Sequence, residues 1–383
     1  MGIFGDFSRV KYFDVDAYAW WSATILQTQQ LPNDTGWQYP PGAAFLFLLP
    51  RLFVTPYQIT FVVLLFAFDA AATFALVRLA QRTNRWLGVW FWILAITMTG
   101  NLAFLRFDII PTAVVLVGLC MFAASGSNYA FGAVIGLAAA IKVWPVLLLT
   151  AASTTPRLLR QVTAAGIVVV AVFGAAHLLF GNPLAFISNQ TGRGLEIESI
   201  AGTPWYIWEL VTGQPVVSAI RNGSAEIVDP IADTVAHVLV GAMILLSVAI
   251  ALWWWRARDQ KRTVAASIDA VFAFTLLYIL VSEVLSPQYL IWLIGIAAAR
   301  LCLSPTKPVW WLALFALAVW LNGLMVDHWS DLVGEGGAGV VLLVGRNAIL
   351  VAVAILSLSQ VWRAARTQSV ETIEATPAHT AAT

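Results

Sequence analysis

Apolar runs of nearly membrane-spanning length, separated by short polar turns, recur between residues 57 and 361. A spanning helix needs about 20 mostly apolar residues. Nine runs meet or approach that length: 57–79, 86–102, 109–124, 162–180, 235–255, 264–281, 289–303, 309–326 and 340–361. Two further stretches do not read as simple spans. Residues 39–53 are broken by Pro40, Pro41 and Pro50, which suits a re-entrant or interfacial helix, because proline removes a helix donor and clashes with the preceding turn. Residues 129–152 carry Lys142 and Pro145 near their middle. The pattern predicts an all-α polytopic transmembrane bundle, with about nine full spans, a re-entrant helix pair and external interfacial helices.

Charge decides how the second stretch is threaded. Basic residues favour cytoplasmic loops. If 129–152 crosses once, every later basic loop falls on the wrong side; if it enters and leaves on one side, the loops agree. Cytoplasmic loops then hold Arg78, Arg82, Arg85, Arg157, Arg160, Arg256, Arg258, Lys261, Arg262, Arg300, Lys307, Arg363 and Arg366, which is 13 of the 21 basic residues. The remainder, including Arg51, Arg106, Lys142, Arg193, Arg221 and Arg346, fall outside or in the external half of the membrane. The acids do the opposite. External loops 1–56, 181–234 and 327–337 hold 13 of the 20, among them Asp14, Asp16, Asp34, Glu196, Glu198, Glu209 and Glu226. The reading is therefore a single transmembrane domain over 1–365 with an elaborated external face and a disordered cytoplasmic tail over 366–383. An external amino-terminal segment needs either export or a preceding helix, and the expectation favours a helix upstream of this chain.

Composition agrees. Apolar residues make up 60% of the 383 and charged residues 11%, against about 25% charged in a soluble domain. Mean hydropathy is +0.82, and there are 18 tryptophans. These values exclude a soluble globule, a coiled coil and a disordered chain. The net charge of +1 gives no basic stripe for nucleic acid. Cys120 and Cys302 lie far apart in apolar runs and read as small hydrophobes. The four histidines have no metal-ligand spacing, and no phosphate-cradling glycine loop is present.

Ionisable and aromatic groups against the membrane are the candidates for chemistry. Asp14 and Tyr18 stand four apart, one helix face if 13–21 is helical; Asp14 as a cap, with Trp20 and Trp21 as headgroup anchors, is the plainer alternative. Trp37 and Tyr39 precede the rigid Pro40-Pro41-Gly42 turn and suit either a sugar or the aromatic belt. Arg106 and Asp108 sit in one short turn and can satisfy each other. Lys142, at the hairpin tip, suits an anion or simply snorkels to the interface. Arg193, between two glycines, presents a guanidinium that fits phosphate, with Glu196 and Glu198 placed to hold it. Ser286-Pro287-Gln288-Tyr289 is a polar, proline-broken turn. Asp69 and Asp269 lie within spans, where interhelical hydrogen bonds explain them.

The order of these clusters is more specific than any one of them. Asp14-x-x-x-Tyr18, Trp37-x-Tyr39-Pro40-Pro41-Gly42, Arg106-x-Asp108-x-x-Pro111, Lys142-Val143-Trp144-Pro145, Arg193-Gly194-Leu195-x-x-Glu198 and Ser286-Pro287-Gln288-Tyr289 together resemble glycosyltransferase family 87, bacterial membrane enzymes of the GT-C class. The resemblance covers roughly residues 12–365. It implies a GT-C fold in the bacterial plasma membrane, with the active site facing outside. It also implies transfer of a sugar, mannose first, from a polyprenyl-phosphate-sugar donor to a lipid-linked or glycan acceptor, with inversion at the anomeric carbon. By that resemblance Asp14, with Asp16 as the neighbouring alternative, is the catalytic base. Some members carry paired histidines after the Ser-Pro element. Gln288 and Tyr289 stand there in this chain, so the donor phosphate falls to Arg193, Lys142 and Arg106, with Gln288 beside them. Tyr18, Trp37, Tyr39, Asp108, Glu196, Glu198 and Tyr289 are the expected sugar and acceptor contacts. Neither metal nor cofactor is called for. A transporter or lipid flippase is the competing class, suggested by Asp69, Asp269 and the broken helix at Lys142; it lacks the paired broken helix in a second half that such folds often show.

Overall fold

A computed structural model describes residues 13–374 except 153, 191, 259–262, 304–309 and 335. In chain order, α1 (Phe13–Thr28) and the short α2 (Gly42–Leu48) precede α3 (Tyr57–Thr83), α4 (Leu87–Met98), α5 (Ile109–Ser125), α6 (Asn128–Ile141) and α7 (Thr155–Phe180). An irregular region follows with α8 (Ala185–Gln190), α9 (Thr203–Thr212) and an antiparallel hairpin of β1 (Ser218–Arg221) and β2 (Ser224–Ile227). Last come α10 (Pro230–Ala257), α11 (Val264–Val281), α12 (Leu290–Leu303), α13 (Trp311–Asp327) and α14 (Ala338–Glu374). The chain is an all-α polytopic membrane bundle.

Each of the nine predicted runs contains a helix. Five segments are long and apolar enough to cross a membrane: α3, α7, α10, α11 and Ala338–Arg363 of α14. The others are shorter. The α-helix in run 86–102 covers 12 residues, because the chain tightens to a 3-10 turn at Gly100–Phe104, entered through Gly100 at φ +61°. α14 runs on to Glu374, so residues 366–374 are helical where a disordered tail was expected. No proline or glycine interrupts them, and a helix already nucleated extends at little cost. Residues 375–383 lie outside the described part.

Residues 129–152 do double back. α6 ends where Lys142 turns extended (φ −153°, ψ 132°), and a 3-10 segment, Trp144–Ala151, returns along it. Trp144 stacks on Trp292 near the start of α12, whereas the carbonyl of Ala152 accepts from the Trp254 indole at the end of α10. The hairpin therefore opens and closes at the end of the bundle that carries Arg82, Arg157 and Arg256, termed here the basic end; the opposite end, built from the long connections, is the loop end. α6 is pressed against α7 by missing side chains. A Cβ on Gly132 would lie 2.3 Å from the Gln161 carbonyl oxygen, and one on Gly136 2.5 Å from that of Ala165.

The acids inside spans are satisfied internally. Asp69 accepts from the Trp92 indole at 2.9 Å. Asp269 takes Arg300 Nε at 2.7 Å and the Gln360 amide at 3.0 Å. Arg300, assigned from sequence to a cytoplasmic loop, is thus buried in α12 by its carboxylate partner on α11.

Candidate active site

The turn between α4 and α5 brings Arg106 and Asp108 to the loop end of the bundle, but they do not pair. Arg106 Nε binds Asp14 Oδ2 of α1 at 2.7 Å. Asp108 Oδ1 receives Lys142 Nζ at 2.6 Å and the Trp292 indole at 2.7 Å. Two ion pairs with different partners replace the one local pair that sequence spacing allowed.

Lys142 does not snorkel outward. Where α6 breaks, its ammonium points among the rings of Phe107 (4.8 Å), Tyr289 (5.1 Å), Trp292 (5.1 Å) and Tyr39 (5.9 Å). Ring faces favour a cation at such distances, and Asp108 supplies the opposite charge. Tyr289 stacks on Trp292 at 4.3 Å, which holds one wall of this cage.

Beside the cage lies an aromatic floor. Tyr18, four residues from Asp14 on α1, stacks on Phe47 at 4.4 Å and meets Phe107 edge-on at 5.6 Å. Trp37 is 1% exposed and packs edge-on against Trp21 and Tyr39, so it is a wall of the site rather than a membrane-belt residue. Tyr39 reaches Phe107 at 5.0 Å. Asp34 fixes Trp21 by accepting its indole N–H at 3.1 Å. Asp16 turns away from all of these: it is exposed and accepts from Gln58 on α3 at 2.8 Å.

The loop bearing Arg193, Glu196 and Glu198 is ordered by pairing with the hairpin. Ile197 N donates to Ala225 O at 3.0 Å, and Ile227 N to Leu195 O at 2.9 Å, so the loop adds a short edge to β2. Gly194 lets the Glu226 carboxylate close in on the loop: a Cβ there would stand 2.6 Å from Oε2, and that carboxylate would have to shift. Arg193 Nη2 donates to Ser224 Oγ at 3.2 Å, and its charge acts on Glu196, Tyr39 and Tyr289. Glu196 accepts from Ser286 Oγ at 3.0 Å, and its own N–H donates to the Glu283 carbonyl at 3.0 Å. These bonds place the Ser286–Tyr289 turn, in which Gln288 is buried, against the acidic loop. Neither glutamate is hydrogen-bonded to Arg193 in the way its spacing suggested; Ser224 holds the guanidinium instead.

Burial sets the electrostatics. It raises the Asp14 carboxyl above its ordinary value, with the adjacent Arg106 guanidinium opposing the rise. Burial also raises Glu196. Glu198 is pushed up to about 8 by burial and by the charge of Glu196, against the pull of Arg346. Several buried polar atoms here have no hydrogen-bond partner: Tyr18 Oη, Asp108 Oδ2, Arg193 Nε, Glu196 Oε2, Glu198 Oε1 and Gln288 Oε1. Such atoms are uncommon in folded proteins, and their gathering at one end of the bundle marks a polar ligand site. Among the described residues, no group of three or more His, Cys, Asp or Glu is arranged to hold a metal ion.

Trp292, Ser224 and Glu226 belong to this site without having been marked by sequence, and so do three buried polar residues of α13 and α14, Asn322, Arg346 and Asn347. Arg346-Asn347 inside an apolar run was the available signal, since a charge within a span is costly unless it is used.

The assembled inventory is a partly open carboxylate beside a guanidinium, two further cations, and a wall of packed aromatic rings. Residues 37–287 match the sequence model of glycosyltransferase family 87. A search of curated proteins finds no match to the chain. The matched stretch covers well over half of the sequence and runs through Trp37, Tyr39, Arg106, Lys142 and Arg193 to the Ser-Pro turn, so the chain belongs to glycosyltransferase family 87 and is a membrane-embedded glycosyltransferase.

Proposed function

We propose that the protein transfers a sugar, mannose first among the choices, from a polyprenyl-phosphate donor to a lipid-linked or glycan acceptor, at the external face of a bacterial plasma membrane. The observation that carries this reading is the Asp14–Arg106 pair beside the Lys142 cage: one base and several cations on a common aromatic floor. A lipid-phosphate sugar brings its own leaving group. What remains for the protein is to take a proton from the acceptor hydroxyl and to stabilise charge building on the departing phosphate.

In this scheme Asp14 accepts the hydroxyl proton. The acceptor oxygen forms its bond to the anomeric carbon from the face opposite the phosphate, and the electron pair of the breaking carbon–oxygen bond leaves with the phosphate. Inversion converts a β-linked donor into an α-glycoside. Arg193 and Lys142, with Arg106 and Gln288 alongside, receive the phosphate; Tyr18, Trp37, Tyr39, Asp108, Glu196, Glu198 and Tyr289 surround the sugar and the acceptor. Burial helps Asp14 in this role, because a carboxyl raised above its ordinary value is the stronger base. Purified protein in lipid nanodiscs, given radiolabelled polyprenyl-phosphate-mannose and membrane glycolipid, tests the reading. Labelled α-mannoside made by the wild type and lost in Asp14→Asn supports it; movement of the intact donor across vesicles without glycoside formation overturns it.

A further inference from the structure

Arg346 sits in α14 with no exposed surface and eight residues, roughly 12 Å, from the start of that helix. A lone charge at such a place is costly without partners, and its partners are specific. Nη2 donates to the Glu198 carbonyl at 2.5 Å, Nη1 to Asn322 Oδ1 at 2.9 Å and Nε to Asn347 Oδ1 at 3.0 Å. Asn347 passes the contact on to the Ser199 carbonyl at 3.2 Å and to Thr203 Oγ1 at 2.7 Å. Asn322 uses its amide to hold the Pro287 carbonyl at 3.1 Å.

These bonds close a ring. From Arg346 it passes through the Glu198 carbonyl to Glu196, across to Ser286 and Pro287, and back through Asn322 to Arg346. The two segments that meet in the site, Arg193–Ser199 and the turn Ser286–Tyr289, are thus tied to the same guanidinium, the first directly and the second through Asn322. We propose that Arg346 is a positioning residue for sugar transfer, setting the separation of the acidic loop from the Ser286–Tyr289 turn without touching substrate. The inference rests on the transfer reading above.

The residue type fits the task. A planar guanidinium reaches three acceptors in different directions from one rigid fork, which an ammonium on a flexible stem does not. Asn322 and Asn347 are each both donor and acceptor, so each can receive from Arg346 while holding a second partner. Glu198 lends the ring its backbone carbonyl, so the link does not use its carboxylate.

The test uses Arg346→Lys, which keeps the charge, and Asn322→Leu, which removes the link from Arg346 Nη1 to the Pro287 carbonyl and leaves the arms to Glu198 and Asn347 in place. Wild type and variants are compared in nanodiscs with polyprenyl-phosphate-mannose for kcat and KM, and by hydrogen exchange without donor. Misplacement by about 1 Å is worth up to about 100-fold in rate. The expected result for Arg346→Lys is therefore a 10- to 100-fold fall in kcat/KM at an unchanged folded fraction, with exchange rising in 193–199 and 283–289 together. Asn322→Leu is expected to raise exchange in 283–289 alone and to raise the donor KM. Combined with Ser286→Ala, Arg346→Lys should lose less than the product of the single losses, because both cut one ring. Wild-type kcat/KM in Arg346→Lys, losses that simply multiply, or exchange confined to α14 would overturn the proposal. If the wild type transfers no sugar, the transfer reading fails, and the exchange pattern still decides whether Arg346 couples the two segments.

Discussion

Arg106 and Asp14 meet at 2.7 Å although three whole helices, α2, α3 and α4, lie between them in the chain. The pair gives the candidate base a fixed orientation and a counter-charge. It also sets how that base responds to pH and to substitution.

Asp14→Asn removes the proton acceptor while keeping size and hydrogen bonding. General-base catalysis is worth about 10²–10⁴-fold, so transfer measured with labelled donor is expected to fall by that much at normal expression and unfolding temperature. Asp16→Asn acts on a carboxylate exposed against Gln58 and is expected to cost far less. A larger loss at Asp16 would move the base there.

The pH profile follows from the same pair. Asp14 acts as a base only when ionised, so the transfer rate is expected to climb with pH through its raised titration range and then level off. Arg106 opposes that rise in pKa. Arg106→Gln should therefore shift the lower inflection to higher pH. An inflection that stays in place or moves down refutes the assignment.

Lys142 and Asp108 form a buried pair, their side chains 13% and 1% exposed. Removing one partner strands the other charge, at a cost of roughly 3–5 kcal/mol. Lys142→Met alone should lower the unfolding temperature in detergent more than Lys142→Met combined with Asp108→Leu, where no charge is stranded. Equal loss in both would show that the cage does not depend on the ion pair.

Glu198 links pH to stability. Its carboxyl lies at about 8 in the folded chain against 4.5 for an ordinary glutamate. Between those values the folded chain holds a proton that the unfolded chain releases. Its contribution is complete below about 4.5 and is lost as pH rises towards about 8. Thermal stability is expected to decline over that window, and Glu198→Gln to flatten the decline; a stability that rises there contradicts the burial of this carboxyl.

The helical frame was legible because apolar runs near 20 residues have few alternatives in a bilayer, and the fold of 129–152 because charge counting leaves one threading. The site was legible as a set of residues but not as a set of pairs. Arg106 and Asp108 are close in sequence, which made a mutual bond look sufficient, and only the approach of α1 and α6 reveals Asp14 and Lys142 as their partners. Trp37 read equally well as a belt tryptophan, since sequence does not say whether α2 packs over it. Arg346 stands out in sequence as a charge within an apolar run, but its partners do not, because they are a backbone carbonyl and asparagines that carry no charge pattern.

The glycines of α6 give distant parts of the bundle leverage over the chemistry. Gly132 touches the backbone of α7 near the basic end, roughly 15 Å of helix from Lys142. Any side chain there would wedge the two helices apart and tilt α6 like a beam on a fulcrum, swinging its far tip out of the aromatic cage. The reach of the Lys142 ammonium is thus gauged at the opposite end of the bundle, by a residue that never meets a substrate.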